Sequence, residues 1–278
     1  MKAIHVLIIT STLFFFGCDS SFNPIQENEE LHFSMYGVLD VHADTQWVRV
    51  MPVGRSLLPT DPDVEPVQVQ LTDHSTNEVK MFKDSLFKFG TNIYVYNYWI
   101  ADSVSPNQEY TITATGDDGR QSKVKIHTPS VLEVPEVLRP SGGENIMVTG
   151  TTADSVVVAG SKYLVQPITP MGCGPETSVS ISHIESLIQR SDGEYIFRAD
   201  NSSAIAAELG TSRGGFIVNK RSVEVVTSKS DWPNGSILSE WEISIPRILS
   251  NVENGTGVVA GVARREVTIT PRRPACER

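Results

Sequence analysis

Val67-Gln68-Val69-Gln70-Leu71 alternates apolar and amide side chains without a break. A period of two is what a strand with one buried and one wet face requires, because successive side chains point to opposite sides of the sheet. The same rhythm extends in both directions. Towards the N-terminus, Leu31, Phe33, Met35 and Leu39 alternate with polar or small residues, and Trp47 to Val53 forms a second apolar run. Towards the C-terminus come Val79 to Phe82, the aromatic Ile93 to Trp99, then Tyr110, Ile112 and Ala114, and finally Lys123 to His127. Between the last two lies Gly116-Asp117-Asp118-Gly119, whose Asp-Gly step suits the positive φ of a tight hairpin. Arg55 to Glu65, with prolines and aspartates, reads as a loop. About seven short strands with turn signals between them predict an immunoglobulin-like β-sandwich over residues 31–128.

Beyond Thr128 the composition shifts. Pro129, Pro135, Pro140 and Gly142-Gly143 mark residues 129–143 as a linker, with Val131 to Val137 extended, because proline cannot serve a central ladder. Residues 144–278 read as a second β-rich domain. Its expected strands include Ser155 to Ala159, Tyr163 to Gln166, Thr177 to Ser182, Phe216 to Asn219, Ser222 to Thr227, Trp241 to Ile245, Gly257 to Val262 and Glu266 to Thr270. Two short helices are expected among them. Ser182-His183-Ile184-Glu185 has capping-box spacing and would open a turn or two with Ile184, Leu187 and Ile188 inward. Ser203 to Leu209 is Ala-rich and stops at Gly210. The fold class is therefore all-β, a sandwich followed by a second β module with one or two short helices.

The chain starts differently. Lys2 precedes the short apolar run Val6 to Phe16, then Gly17-Cys18. The run falls short of the roughly 20 apolar residues a membrane span needs, and its layout is that of a signal peptide, residues 1–17. Phe14-Phe15-Phe16-Gly17-Cys18 resembles the lipobox of bacterial lipoprotein precursors, with Phe15 where that family prefers Leu. The resemblance implies diacylglyceryl modification of Cys18, cleavage before it, and acylation of the new amino group. Several acyl chains, at about 0.8 kcal/mol per buried CH2, anchor firmly where a single chain does not. Residues 18–30, with Gln26-Glu27-Asn28-Glu29-Glu30, are too polar to order themselves and read as a lipidated tether.

The formal net charge is −10, and losing the one positive charge of Lys2 takes it to −11. Such a surface argues against nucleic acid, whose phosphates attract basic patches. Two cysteines remain, Cys173 and Cys276; in an oxidising compartment they are expected to pair, closing a loop of about a hundred residues worth up to roughly 4.7 kcal/mol. Neither belongs to a C-x-x-C or a close Cys/His pair, so zinc is not expected.

Other constellations point weakly to chemistry. Gly210-Thr211-Ser212-Arg213-Gly214 fits G-x-S-x-G, but the strand follows and the helix precedes, the reverse of a nucleophile elbow, and the last histidine, His183, lies upstream. Asp61, Asp63 and Glu65 alternate oxygens as a calcium loop does, yet two prolines and the missing Gly and distal Glu make an acidic turn the better reading. His42 and Asp44 lack a third partner. Asn201, Asn234 and Asn254 sit in glycosylation sequons that read better as turns. Tyr94, Tyr96 and Tyr98 with Trp99 form a candidate contact surface for carbohydrate or protein, but core or edge packing is the favoured reading of the same side chains. No catalytic residue, metal or cofactor is expected.

The mature chain as a whole is similar to a family of bacterial envelope lipoproteins for which no chemistry is established. The matching residues are Ser250-Asn251-Val252-Glu253-Asn254-Gly255-Thr256-Gly257-Val258-Val259, set against a signature near S-N-I-x-G-G-x-G-x-F-G, with Asn254 in place of a Gly and Val259 of the aromatic. Tyr36-Gly37-Val38-Leu39, Val67 to Asp73 and Tyr110 to Ala114 also correspond. The resemblance implies an outer-membrane lipoprotein beside TonB-dependent receptors, hence an accessory binding role; a scaffold of an envelope assembly is the alternative, and a surface hydrolase a more remote one. Nonreducing mass spectrometry of the mature protein is expected to find an acylated Cys18 as the first residue and a Cys173–Cys276 peptide pair; an unmodified Cys18 or free thiols would refute these expectations separately.

Overall fold

The computed structural model describes residues 31–53, 67–90, 93–138, 145–148, 154–170, 172–190, 194–198, 202–211, 215–229, 232 and 249–269. The expected all-β fold is what forms. The stretch Val67 to Asp73 is strand β3, and its alternation is realised in space: Val67, Val69 and Leu71 are buried while Gln68 is exposed. Its antiparallel neighbours are β4 (Val79–Met81) and β7 (Glu109–Gly116), and β7 pairs in turn with β8 (Gln121–His127). The β7–β8 hairpin turns at Gly119 with φ +81°, as its Asp-Gly step requires.

Facing this sheet are β1 (Phe33–Asp40), β2 (Gln46–Pro52), β5 (Lys83–Phe89) and β6 (Ile93–Ile100). Phe33, Met35, Leu39, Val48, Val50 and Tyr98 meet Val69, Leu71, Ile112, Ala114, Val124 and Ile126 in one core. Each such aliphatic side chain removed from water contributes about 1.5–3 kcal/mol. At the sandwich corner, buried Tyr110 accepts a hydrogen bond from Ser105 N–H at 2.8 Å through its hydroxyl, the local tie that immunoglobulin-like sandwiches make at the start of a strand.

In the second half, β9 (Glu136–Leu138), β10 (Asn145–Val148), β14 (Ile188–Gln189) and β15 (Tyr195–Arg198) form a small sheet. The larger strands are β11 (Ser155–Thr169), β12 (Gly172–Cys173), β13 (Thr177–Ser182), β16 (Phe216–Ser228) and β17 (Gly255–Ile269). Three pairs of expected strands are thus single long ones: the polar residues between them stay within the ladder. Two register shifts between β11 and β16, at Val156/Val158 and Leu164/Val165, let these long strands bend. The helix at Ser202–Glu208 forms and buries Ile205 and Ala206. The one expected at Ser182 does not. Ser182 completes β13, only a 3-10 turn over Ile184–Ser186 follows, and Ile184 and Ile188 are exposed, the latter by 65%. His183 N–H donates to Ala159 C=O at 2.7 Å, so the backbone there is committed to the sheet before a helix can begin.

β17 joins the two halves. Its first part, Gly255 to Val262, runs parallel to β1, and its second part, Val262 to Ile269, runs antiparallel to β16. The sheet order is β12-β11-β16-β17-β1-β2-β6-β5, with β13 also on β11. Strands from both sides of residues 129–143 therefore share one nine-stranded sheet. Leu132, within the expected linker, is buried in a second core with Val156, Phe197, Val223, Val225 and Ala263, and Val41 packs against both cores.

β17 fits beside β1 because of its glycines. A Cβ on Gly257 would stand 2.1 Å from the Met35 carbonyl oxygen, and its φ is +109°. Gly257→Ala is expected to lower stability by about 3 kcal/mol through overlap and backbone strain together, read as a lower urea midpoint. A change under about 0.5 kcal/mol would contradict the close approach.

Candidate binding surface

Strand alternation decides where the aromatic residues of β6 go. Val48 lies opposite Tyr98 and Trp47 opposite Trp99 in the β2–β6 ladder. Val48 is a core residue, so Tyr98 enters the core and is 4% exposed. Tyr94 and Tyr96 share its parity; both are half-buried, and the Lys88 ammonium lies 5.6 Å from the Tyr94 ring centroid. Trp99 has the opposite parity and points to the sheet's outer side. The four residues offered as one contact surface are therefore divided between two faces, and Tyr98 takes the favoured reading, core packing. The physical reason is the period of two itself: Tyr98 and Trp99 are neighbours in sequence and cannot share a face.

A different aromatic group forms on the outer face. Trp47 and Trp99 lie with ring centroids 6.0 Å apart and planes inclined by 29°. Trp47 also reaches Phe87 at 5.9 Å and 58°. Phe87 is on β5, and β6 lies between β5 and β2, so the Trp47 indole lies across β6. Trp47 is 43% and Phe87 37% exposed, whereas Val95, paired with Phe87 on that same face, is buried. Lys83, paired with Trp99, holds its ammonium 5.1 Å from the Trp99 ring centroid, a distance at which cation–π attraction operates. The Trp47–Trp99 and Lys83–Trp99 register sets these three in one row across β2, β6 and β5. Arg49, Ser85 and Asn97 share the face by alternation. Sequence reading missed Trp47 and Phe87 because neither stands near Trp99 in the chain; only the pairing register brings them together.

Other polar clusters do less. Ser161 Oγ and His183 Nε2 are 2.9 Å apart, and the imidazole stacks on Phe197 at 5.0 Å. Burial, and then the Arg221 charge, lower the His183 pKa. Both side chains are closed from solvent, so the pair ties β11 to the end of β13 and offers no nucleophile to a substrate. Glu109 faces Lys125 at 3.5 Å, His127 at 3.1 Å and His74 at 3.7 Å. Burial is the largest single effect and opposes ionisation, yet Lys125 and the histidines together hold the carboxyl below its usual range. Among the described residues no group of three His, Cys, Asp or Glu side chains is placed to hold a metal ion. His42, half-buried, accepts the Leu132 N–H at its Nε2 at 3.3 Å. Asn254 has φ 53°, in line with its reading as a turn. Cys173 lies exposed on β12. Cys18, Cys276, Ser212, Trp241 and the Asp61–Asp63–Glu65 set lie outside the described residues.

No protein-family model matches the chain, and no curated protein sequence matches it. Among solved structures, pullulanase from Anoxybacillus sp. LM18-11 aligns at 10% identity with a TM-score of 0.23, covering 71% of this chain and 24% of that one. Its complex with maltotriose aligns at 8% and 0.24 over the same shares. Bovine butyrophilin aligns at 11% and 0.21, covering 87% of this chain and 99% of its own. The chain thus spans about a quarter of the pullulanases. At these scores the likenesses carry no functional inference.

The inner placement of Tyr98 has a measurable signature. Burial first, then the nearby Asp84 and Tyr96, push its phenol up to about 12. Because the native pKa lies above the ordinary value of 10, the neutral phenol's contribution to stability is complete below pH 10. It is lost as pH climbs from there towards 12. Alkaline difference spectroscopy is expected to show one late tyrosine step in this window coinciding with unfolding, absent in Tyr98→Phe. Ionisation of every tyrosine near pH 10 would refute the burial.

Proposed function

We propose that this chain is a lipid-anchored, non-catalytic binding module of the bacterial envelope, accessory to an outer-membrane receptor and working through the outer face of β2, β6 and β5. The single observation that carries the reading is the Trp47–Trp99–Phe87 group on a sheet whose other face is already packed. Large aromatic side chains held half-exposed on a rigid sheet are the residues that most often dominate binding energy, because they offer area with few rotamers to freeze. The lipobox-like segment ending at Cys18 supports the anchor, and the resemblance around Ser250 to Val259 supports the company of receptors. Export also supports the Cys173–Cys276 bridge, because an oxidising compartment lets such a pair persist. Such a bridge would tie the C-terminal tail to the β11–β12 hairpin.

Affinity purification of the full-length tagged chain from detergent-solubilised membranes tests the reading. An outer-membrane receptor is expected to co-purify with the native chain, and its recovery should fall at least about tenfold, roughly 1.4 kcal/mol, with the Trp47→Ala/Trp99→Ala double variant. Recovery undiminished by the double variant would remove the aromatic face from the proposal. Recovery of a multi-protein envelope complex without a receptor would favour the scaffold instead.

A further inference from the structure

We propose that the free edge of β5 is a self-association seam, at which a second copy of this chain adds its own β5 antiparallel to the first. The inference goes beyond the receptor reading and stands without it, because it uses the rim of the sheet and leaves Trp47 and Trp99 uncovered. β5 ends the path of the nine-stranded sheet, and among the described residues it pairs with β6 alone. Its seven residues, Lys83-Asp84-Ser85-Leu86-Phe87-Lys88-Phe89, contain no proline. Its register with β6 runs unbroken from Lys83 opposite Trp99 to Phe89 opposite Ile93. Such a strand presents on its far side a row of backbone donors and acceptors, a template for another strand. The opposite end of the sheet path is β12, of two residues, which offers far less. β5 also carries apolar side chains on both faces of this rim: Leu86 is 43% and Phe87 37% exposed.

The side chains select the occupant. A two-fold axis normal to the sheet keeps the core sides of both copies on one side, and residues opposite each other across the seam then share parity. With the axis at Leu86, Leu86 meets its own copy, and Asp84 stands opposite Lys88 of the second copy, twice over by symmetry. Moving the axis to Ser85 or to Phe87 sets Asp84 against Leu86 or Gly90 and loses both charge pairs. Opposite charges directly across an antiparallel pair attract, and like charges repel. Asp84 and Lys88 are both exposed, and the Lys88 ammonium, which lies on that side of the sheet near the Tyr94 ring, keeps donors for a carboxylate. On the other face Phe87 falls opposite Ser85 of the second copy. The two Phe87 rings are then diagonal neighbours, a spacing that aromatic side chains bridge. Charges that protect an edge repel a second copy; here opposite charges placed symmetrically about Leu86 do the reverse. The pairing joins two outer faces, each with its Trp47–Trp99–Phe87 group, into one continuous surface.

Analytical ultracentrifugation of the full mature chain in excess detergent, with no receptor present, tests this across a range of concentrations. A monomer–dimer equilibrium is expected. Lys88→Glu and Asp84→Lys each turn two attractions into two repulsions, and each is expected to weaken the dimer at least about tenfold. The double variant Asp84→Lys/Lys88→Glu exchanges the partners and is expected to return the dimer to within about threefold of the native affinity. Thermal unfolding of each variant checks that it folds; should one single reversal fail, the other and the double variant carry the test. Leu86→Cys reads the register: mild oxidation is expected to give a covalent dimer, which neither the native chain nor Val134→Cys, at a site 62% exposed elsewhere, gives. A chain monomeric at every concentration would overturn the inference. So would a dimer indifferent to the single reversals, one not restored by the double variant, or one that Leu86→Cys does not cross-link. Receptor capture through Trp47 and Trp99 is read in a separate assay, so either reading can fail while the other stands.

Discussion

The contact on which the architecture depends is the backbone of Gly257 against the carbonyl of Met35. Parallel strands have no hairpin to hold them together and must find each other across the chain. Here β1 and β17 are more than 200 residues apart in sequence. They meet only because Gly255 and Gly257 let the backbones close: a Cβ at Gly255 would lie 2.4 Å from the Phe33 carbonyl oxygen. The neighbourhood is tied twice more. Asn251 accepts the Val259 N–H at 3.1 Å and donates to the Val259 carbonyl at 2.7 Å. Ser122, fully buried, accepts the Phe33 N–H and donates to the Asn254 carbonyl at 2.6 Å. The segment from Ser250 to Val259 thus has a structural reason for its residue types: Asn to clamp, Asn in a left-handed turn, and Gly to approach.

Much of this was legible in the chain. The period of two in Val67 to Leu71 determined a one-sided strand, and Asp117 to Gly119 determined a hairpin, because both signals are local. The helix expected at Ser182 fails for the complementary reason: a local capping pattern competes with strand hydrogen bonds to a partner some twenty residues away, and the ladder wins. Tyr98 and Trp99 show the boundary most sharply. Alternation alone assigns them to opposite faces, but which face is the core depends on Val48, and which aromatic residues accompany Trp99 depends on register. Neither can be read without knowing that β2 lies beside β6.

Residues 129–143 illustrate a related point. Their prolines signalled a break in the sheet, and of the described part, residues 129–138, only Glu136–Leu138 is strand, the short β9. Chain outside a ladder, however, is not the same as solvated chain. Leu132 is buried, its N–H goes to His42 Nε2, and its carbonyl accepts from Arg265 Nε at 3.0 Å. His42 belongs to the turn after β1 and Arg265 to β17, so the segment is held by the same two strands that meet at Gly257. Burial, and then the Arg265 charge, hold His42 towards its neutral form against the opposing pull of Asp40, the form in which a ring nitrogen can accept the Leu132 N–H. A shared sheet, a shared residue in Val41 and this clasp couple the two cores.

That coupling bears on binding. The outer row of Trp47, Trp99 and Lys83 is not carried on loops but on three strands whose inner side chains are core residues. Gln46, buried beside Trp47 in sequence, fastens the β1–β2 turn by accepting the Asp40 N–H at 2.8 Å and donating to the Asp40 and Ala43 carbonyls, both at 3.1 Å. Tyr98 does the same for Trp99 through packing. Each outward-facing indole is therefore positioned by a buried neighbour one residue away, and the pleat that divides Tyr98 from Trp99 is also what makes the outer aromatic group rigid. A ligand meeting such a face finds its contacts already ordered, so little of the interaction free energy is lost to freezing the protein.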